Sequence, residues 1–405
     1  KLDGNYPVGT GNVALGDAAL DDGSLSGGYN TGIGWEALTA NTSGQINTAI
    51  GGKALNSNTT GSNNVALGYG AMLDNTSGQY NTAIGRGALP NNTTASQNTA
   101  VGYQAGYSNT TGVDSVAIGA KALKSSTTAS NNVAIGAFAG LSNTTGAQNT
   151  FAGQYSGYTN TTGLDNSFYG TQSAFLNTTG RYNTAVGMSA LYSNTTADYN
   201  TAVGYRASYA NTTGFRNVAL GAFTGQNVTT GTYNVAIGYS AGGANGSNLS
   251  GAENITIGGF SGTNITSANF NVAMGDSTLR NNTTGSNNTA LGQTALYNNT
   301  TASNNTAVGY QAGKAITTSD LGVYVGAYAG LAVTTGARNT MVGVNAGAST
   351  TTGTGNTFIG GASTGQGNGA GKAVTTGSKN TILGTYDGNQ GGLDIRTASN
   401  NIVLS

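Results

Sequence analysis

The sequence repeats itself every 17 residues, and that period constrains the fold more than any other feature of the chain. A pentapeptide Asn-Thr/Val-Ala-Ile/Val/Leu-Gly starts at Asn47, Asn64, Asn81, Asn98 and Asn132, and again at Asn183, Asn200, Asn217 and Asn234. Weaker copies at Ser115, Asn149 and Asn166 keep the same register. After a three-residue insertion the series resumes at Asn254 and runs through Asn271, Asn288, Asn305, Gly322, Asn339 and Asn356. Degenerate copies begin at Asn12, Asn30, Asn380 and Asn401. A short fixed period is the mark of stacked units, each of which buries its apolar side only against its neighbours.

One full unit reads Asn-Thr-Ala-Val-Gly-x-x-Ala-Leu/Gly-x-x-Asn-Thr-Thr-Gly/Ala-x-x, as in residues 183–199. Gly or Asn-Thr-Thr interrupts every half-unit, which leaves no stretch with helical periodicity and helix-forming residues. Within the pentapeptide the residues alternate in character, as a strand requires. The unit predicts two brief strands and two turns, and the chain an all-β, repetitive parallel β-solenoid of 17-residue coils. Val186 and Leu191, with Ala185 and Ala190, are the expected interior of one coil. Regular repeats are expected over 1–360, the first two copies being irregular, with irregular final repeats and a connector over 361–405, where an insertion through Gly361 to Lys379 breaks the period. The chain begins without Met and stops on an apolar run, and reads as a piece of a longer protein.

Composition removes most functions. There is no Cys and no His, so disulfides, thiolate metal sites and the commonest general base are missing. Glu occurs only at Glu36 and Glu253, far apart for paired-carboxylate chemistry, and Asp74, Asp114, Asp165 and Asp198 are scattered singly rather than clustered for calcium. No enzymatic activity, metal or cofactor is expected. Lys plus Arg equals Asp plus Glu at 14 each, so no basic field draws nucleic acid, and no apolar run is long enough to span a membrane.

Three residue sets are candidate sites. Asn58, Asn109, Asn143, Asn160, Asn177, Asn194, Asn211, Asn282 and Asn299 each open an Asn-Thr-Thr, formally a glycosylation sequon. The same residues suit a turn in which identical side chains stack coil on coil as a ladder. The third-position alanines, among them Ala49, Ala66, Ala83, Ala100, Ala185 and Ala202, lie opposite the aliphatic fourth position (Ile50, Leu67, Ile84, Val101). They form either a small-residue face against other chains or the lining of a narrow interior. Each coil buries few large side chains against the entropy of ordering a Gly-rich backbone, and self-association is expected to make up the difference. Tyr69, Tyr103, Tyr205, Tyr239 and Tyr310 follow the pentapeptide's Gly and are expected to stack in register, as cover for a thin core or as a glycan-binding surface. The paired threonines could also present a hydroxyl array to ice or carbohydrate.

The run Asn98 to Gly106, repeated at Asn305 to Gly313, and the segment Ser115-Val116-Ala117-Ile118-Gly119 resemble the head repeats of trimeric autotransporter adhesins. The longer unit with Asn-Thr-Thr-Gly, and the ending from Gly391 to Ser405, resemble the shaft of bacteriophage tail fibres, a type often followed by an endosialidase-like intramolecular chaperone. The resemblance implies a left-handed, homotrimeric fibre shaft on a virion tail. It would hold a receptor-binding tip toward host-surface carbohydrate, with other tail or fibre proteins as partners. A bacterial trimeric surface adhesin head and a glycan-coated extracellular fibre are the alternative settings.

Overall fold

A computed structural model describes residues 10–243, 249–361 and 367–405; residues 1–9, 244–248 and 362–366, the last within the expected insertion, lie outside the described residues. The chain forms two compact units, up to Asn200 and from Thr201 onward. No helix occurs among the described residues.

In the first unit, eleven three-residue strands from Val13–Leu15 to Thr184–Val186 pair in parallel, each with the equivalent strand of the next coil. In the second, strands from Thr201–Val203 to Thr381–Leu383 do the same, and Ile402–Leu404 adds one more. Register follows the sequence period: Thr48 faces Val65, Ala49 faces Ala66, and Ile50 faces Leu67. The parallel β-solenoid of 17-residue coils is therefore the fold. Each coil carries one strand rather than two, because the Ala-Leu half closes as a turn, with Ala54 donating its N–H to Gly51 O at 3.2 Å.

The expected change at residue 360 is absent from the pairing. Thr357 faces Thr381 across the longer spacing, and Thr381 faces Ile402. The described extra residues lie outside the ladder strands, and those of the 21-residue spacing include a small antiparallel hairpin, Asn389–Gln390 with Leu393–Asp394. A longer turn leaves the strand ladder intact, since closing a longer loop costs little more than a short one.

Side chains alternate across a strand, and this decides what the interior holds. The middle residue points inward: Ala49, Ala66, Ala83, Ala185 and Ala202 are fully buried and Ala100 nearly so. The ninth position supplies the bulk, through Leu55, Met72, Leu89, Leu191 and Leu296, all in the left-handed region with φ near +50°. Such backbone is costly for leucine, and the coil ladder holds it, as where Leu55 N–H donates to Ala71 O at 3.0 Å. Gly51 and its equivalents are obligatory, with φ +132° and carbonyls of the next coil 2.7 Å from where a Cβ would sit.

Candidate functional site

The surface that stands out is the outer side of the strands. The residues flanking each inward alanine face away from the coil, and the fourth-position aliphatics, expected inside, are the exposed ones. Ile50 is 37% and Leu67 43% exposed, and Ile84, Ile118 and Ile135 continue the stripe through the first unit. In the second unit Val203, Met274, Ile359 and Leu383 occupy the same place. Val186 is half-buried, while Leu191 is buried as expected. The small-residue face proposed at Ala49, Ala66, Ala83, Ala100, Ala185 and Ala202 is thus corrected: those alanines line the narrow interior of their own chain. The sequence showed the alternation but not its sense, because Ala on one side and Ile or Val on the other allow either side to be inner. The glycine-bounded turn and the inward Leu at the ninth position decide it.

The asparagines of the Asn-Thr-Thr turns form a ladder inside the coil. Asn58, Asn143, Asn160, Asn177, Asn194, Asn282 and Asn299 are fully buried, and Asn109 and Asn211 almost so. Asn58 donates through Nδ2 to Asn41 Oδ1 at 2.8 Å and to Gly61 O at 3.0 Å, and accepts from Asn75 Nδ2 at 2.7 Å. Asn109, Asn160, Asn177, Asn194 and Asn299 repeat the first bond to the coil before, and Asn143, Asn211 and Asn282 bond the turn carbonyl of their own coil. With Nδ2 buried and bonded, the glycan acceptor of each sequon faces the core.

A second ladder, built from the pentapeptide asparagines, runs beside the first. Asn47 N–H donates to Asn30 Oδ1 at 2.9 Å, and its Nδ2 donates to Gly61 O at 2.8 Å, so one turn carbonyl serves both ladders. A row of threonines completes the turn, Thr59 Oγ1 donating to Thr76 O at 3.0 Å. The outer thread of hydroxyls, Thr60, Thr111, Thr145 and Thr162, is exposed.

Tyr69, Tyr103, Tyr205, Tyr239 and Tyr310 do not stack on one another. They recur in alternate coils, and in the second unit each meets a ring of the adjacent coil edge-on: Tyr205 with Phe223 at 5.1 Å and 89°, Tyr310 with Tyr328 at 5.2 Å and 85°. The stacked rings belong to other positions, as with Tyr158 and Phe175 at 5.0 Å and 2°, then Phe175 and Tyr192 at 5.2 Å and 4°.

Among the described residues no group of three His, Cys, Asp or Glu gathers, and no helix is long and apolar enough to cross a membrane. Two titratable groups depart strongly from ordinary values. Hydrogen bonds from Arg396 hold the Asp394 carboxyl at about 2, and burial pushes the Tyr324 hydroxyl up to about 12. Neither the known protein-family models nor the curated protein sequences contain a match to this chain.

Proposed function

We propose that this chain is a structural fibre shaft, mechanical rather than catalytic, that self-associates as a homotrimer through the outer strand face. The observation that carries the reading is the aliphatic stripe Ile50, Leu67, Ile84, Ile118 and Ile135, repeated coil after coil on the side away from the chain's own core. Contiguous exposed apolar surface of this kind marks a contact between proteins. The occupant it fits best is another copy of the same chain, because two stripes with one coil spacing stay in step along their length. The setting that agrees with this architecture and with the sequence resemblance is a bacteriophage tail fibre. In it the shaft carries a receptor-binding tip away from the virion, toward host-surface carbohydrate, beside other tail proteins. The buried sequons weigh against a glycan-coated fibre.

Light scattering on the purified 40.0 kDa chain tests the reading. A mass near three chains is expected, falling to one chain in the triple variant Ile50→Ser, Leu67→Ser, Ile84→Ser. A single-chain mass for the unaltered protein would overturn it.

A further inference from the structure

Beside the strand face of the first unit lies a second surface of different chemistry. Trp35, Tyr69 and Tyr103 occupy the same turn position in alternate coils and are 46%, 54% and 45% exposed. The intervening coils place Gly52 and Arg86 there. The turns remain in ladder register: Lys53 N–H donates to Trp35 O at 2.8 Å, Gly70 to Gly52 O at 3.0 Å, Gly87 to Tyr69 O at 3.0 Å and Gln104 to Arg86 O at 3.1 Å. One coil is therefore one strand spacing, and successive rings stand about 9.5 Å apart.

The glycines around Tyr69 leave an open notch. A Cβ on Gly70 would meet nothing within 4 Å, and one on Gly87 only the Gln104 side chain at 3.9 Å. The backbone does not demand glycine there, since Lys53, Gln104 and Lys121 hold the same turn position at φ +58°, +55° and +58°. Gly52 lies between two rings, its absent Cβ being 3.3 Å from Tyr69 and 3.8 Å from Trp35. The charges are unevenly matched. Lys53 is 3.4 Å from the Glu36 carboxylate and 4.7 Å from the centre of the Trp35 ring, whereas Arg86 has no carboxylate at ion-pair distance among the described residues.

We propose that this shelf binds an extended, β-linked acidic polysaccharide with a disaccharide repeat, lying along the coil axis. Two coils match the length of one disaccharide in such a chain, so every second sugar would present its C–H face to an aromatic ring. Tyr and Trp suit that contact, with an apolar face and a polar edge. Arg86, midway between Tyr69 and Tyr103, meets the alternate sugar, where a carboxylate would take a paired hydrogen bond from the guanidinium. The notch at Gly70 and Gly87 gives the sugar room to lie flat. The inference concerns the side of the chain and does not depend on what stands at its tip.

Isothermal titration of the full 405-residue chain tests it. The probes are an octasaccharide of alternating β-linked glucuronate and N-acetylglucosamine, and a neutral β-linked glucose oligomer of equal length. The acidic probe is expected to bind, and Tyr69→Ala and Tyr103→Ala each to weaken it about tenfold. Arg86→Gln should remove the preference for the acidic probe. Gly70→Gln, which fills the notch with a side chain the backbone already accepts at Gln104, should also weaken binding, while Tyr239→Ala in the second unit should not. Thermal melting of each variant separates lost binding from lost fold. No binding of the acidic probe, equal binding of both probes, or unchanged affinity in Tyr69→Ala would overturn the proposal.

Discussion

The Tyr324 ring fills the volume that a side chain on Gly322 would need, where every other copy of the repeat has Asn except the one opening at Ser115. Tyr324 stands at the inward strand position usually held by Ala and is fully buried. Gly330, at the ninth position of the same coil, is likewise glycine under that ring. Gly157 beneath Phe151, Gly347 beneath Met341 and Gly371 beneath Phe358 repeat the trade. The interior has a fixed cross-section, and a large residue from the strand is matched by none from the turn.

Gly322→Asn alone should therefore be strongly destabilising, since the new side chain meets a buried ring. Tyr324→Ala alone should cost about 3 to 5 kcal/mol through the cavity it leaves. The double variant removes the clash and leaves the Ala-and-Gly pairing already present at Ala219 and Gly225, so its loss should be smaller than the sum of the two. A double-mutant cycle on urea midpoints measures the coupling; additive losses would contradict the fixed cross-section.

Tyr324 also predicts an alkaline transition. Burial raises its folded pKa to about 12 against an ordinary value of 10.0, while Ser319 and Asn339, nearby, moderate the shift without a well-formed hydrogen bond to the hydroxyl. Burial penalises only the ionised form, so folded stability is unaffected below pH 10, and a loss builds as pH rises through the unfolded value toward 12. It is on the order of 3 kcal/mol. Tyr324→Phe should flatten the fall in stability over that window and leave neutral-pH stability equal or higher, because the hydroxyl has no partner. Thermal melts from pH 8 to about 11 distinguish the two proteins.

The ladder asparagines should differ in worth according to what stands above them. Asn58 lies between Asn41 and Asn75 and bonds to both, so Asn58→Val strands two buried partners and should cost on the order of 3 kcal/mol. Asn299 donates to Asn282 at 2.9 Å, but its Oδ1 has no partner because the next coil has Ile316 at that position. Asn299→Val should cost less than half as much, Val333 already holding the equivalent place. Urea unfolding of both variants checks the ranking.

What was legible in the sequence follows from what a period can encode. The coil, the first of its two expected strands and the ladder of Asn58, Asn109 and Asn160 rest on identical residues recurring at fixed distance, which the sequence prints directly. The inner side of the strand was not legible, because Ala49 inside and Ile50 outside reverse the usual rule that the larger apolar residue is buried. The interior is too narrow for both Ile50 and the turn's Leu55, and only the closed coil reveals which one enters. The aromatic rows were misplaced for a related reason: Tyr69 and Tyr103 share a position but skip a coil, where Arg86 stands between them, so identical position does not bring the rings together. The continuation beyond residue 360 was hidden because spacings of 24 and 21 residues disrupt the period while Thr357, Thr381 and Ile402 remain paired.

The same fixed cross-section leaves some coils underfilled. Around Ala219 and Ala236 the turn residues are Gly225 and Gly242, so neither source supplies bulk, and a cavity of about 10 Å³ remains, bordered also by Val228 and Ile265. A Cβ on Gly242 would fall 2.8 Å from the Ala236 Cβ, and φ there is +63°, so the turn is the wrong side from which to fill it. The strand side is open to it, as Phe151 and Met341 show at the equivalent position. Ala236→Val should add up to about 1 kcal/mol by burying further methyl groups in the cavity, whose wall also includes the ladder asparagines Asn217, Asn234 and Asn254. Ala49→Val, where the interior is already filled by Leu55, should destabilise by overpacking, by about 1 to 3 kcal/mol. Opposite signs for one substitution in two coils, read from melting temperatures, would establish that packing volume and not strand propensity governs the inward position; equal signs would refute it.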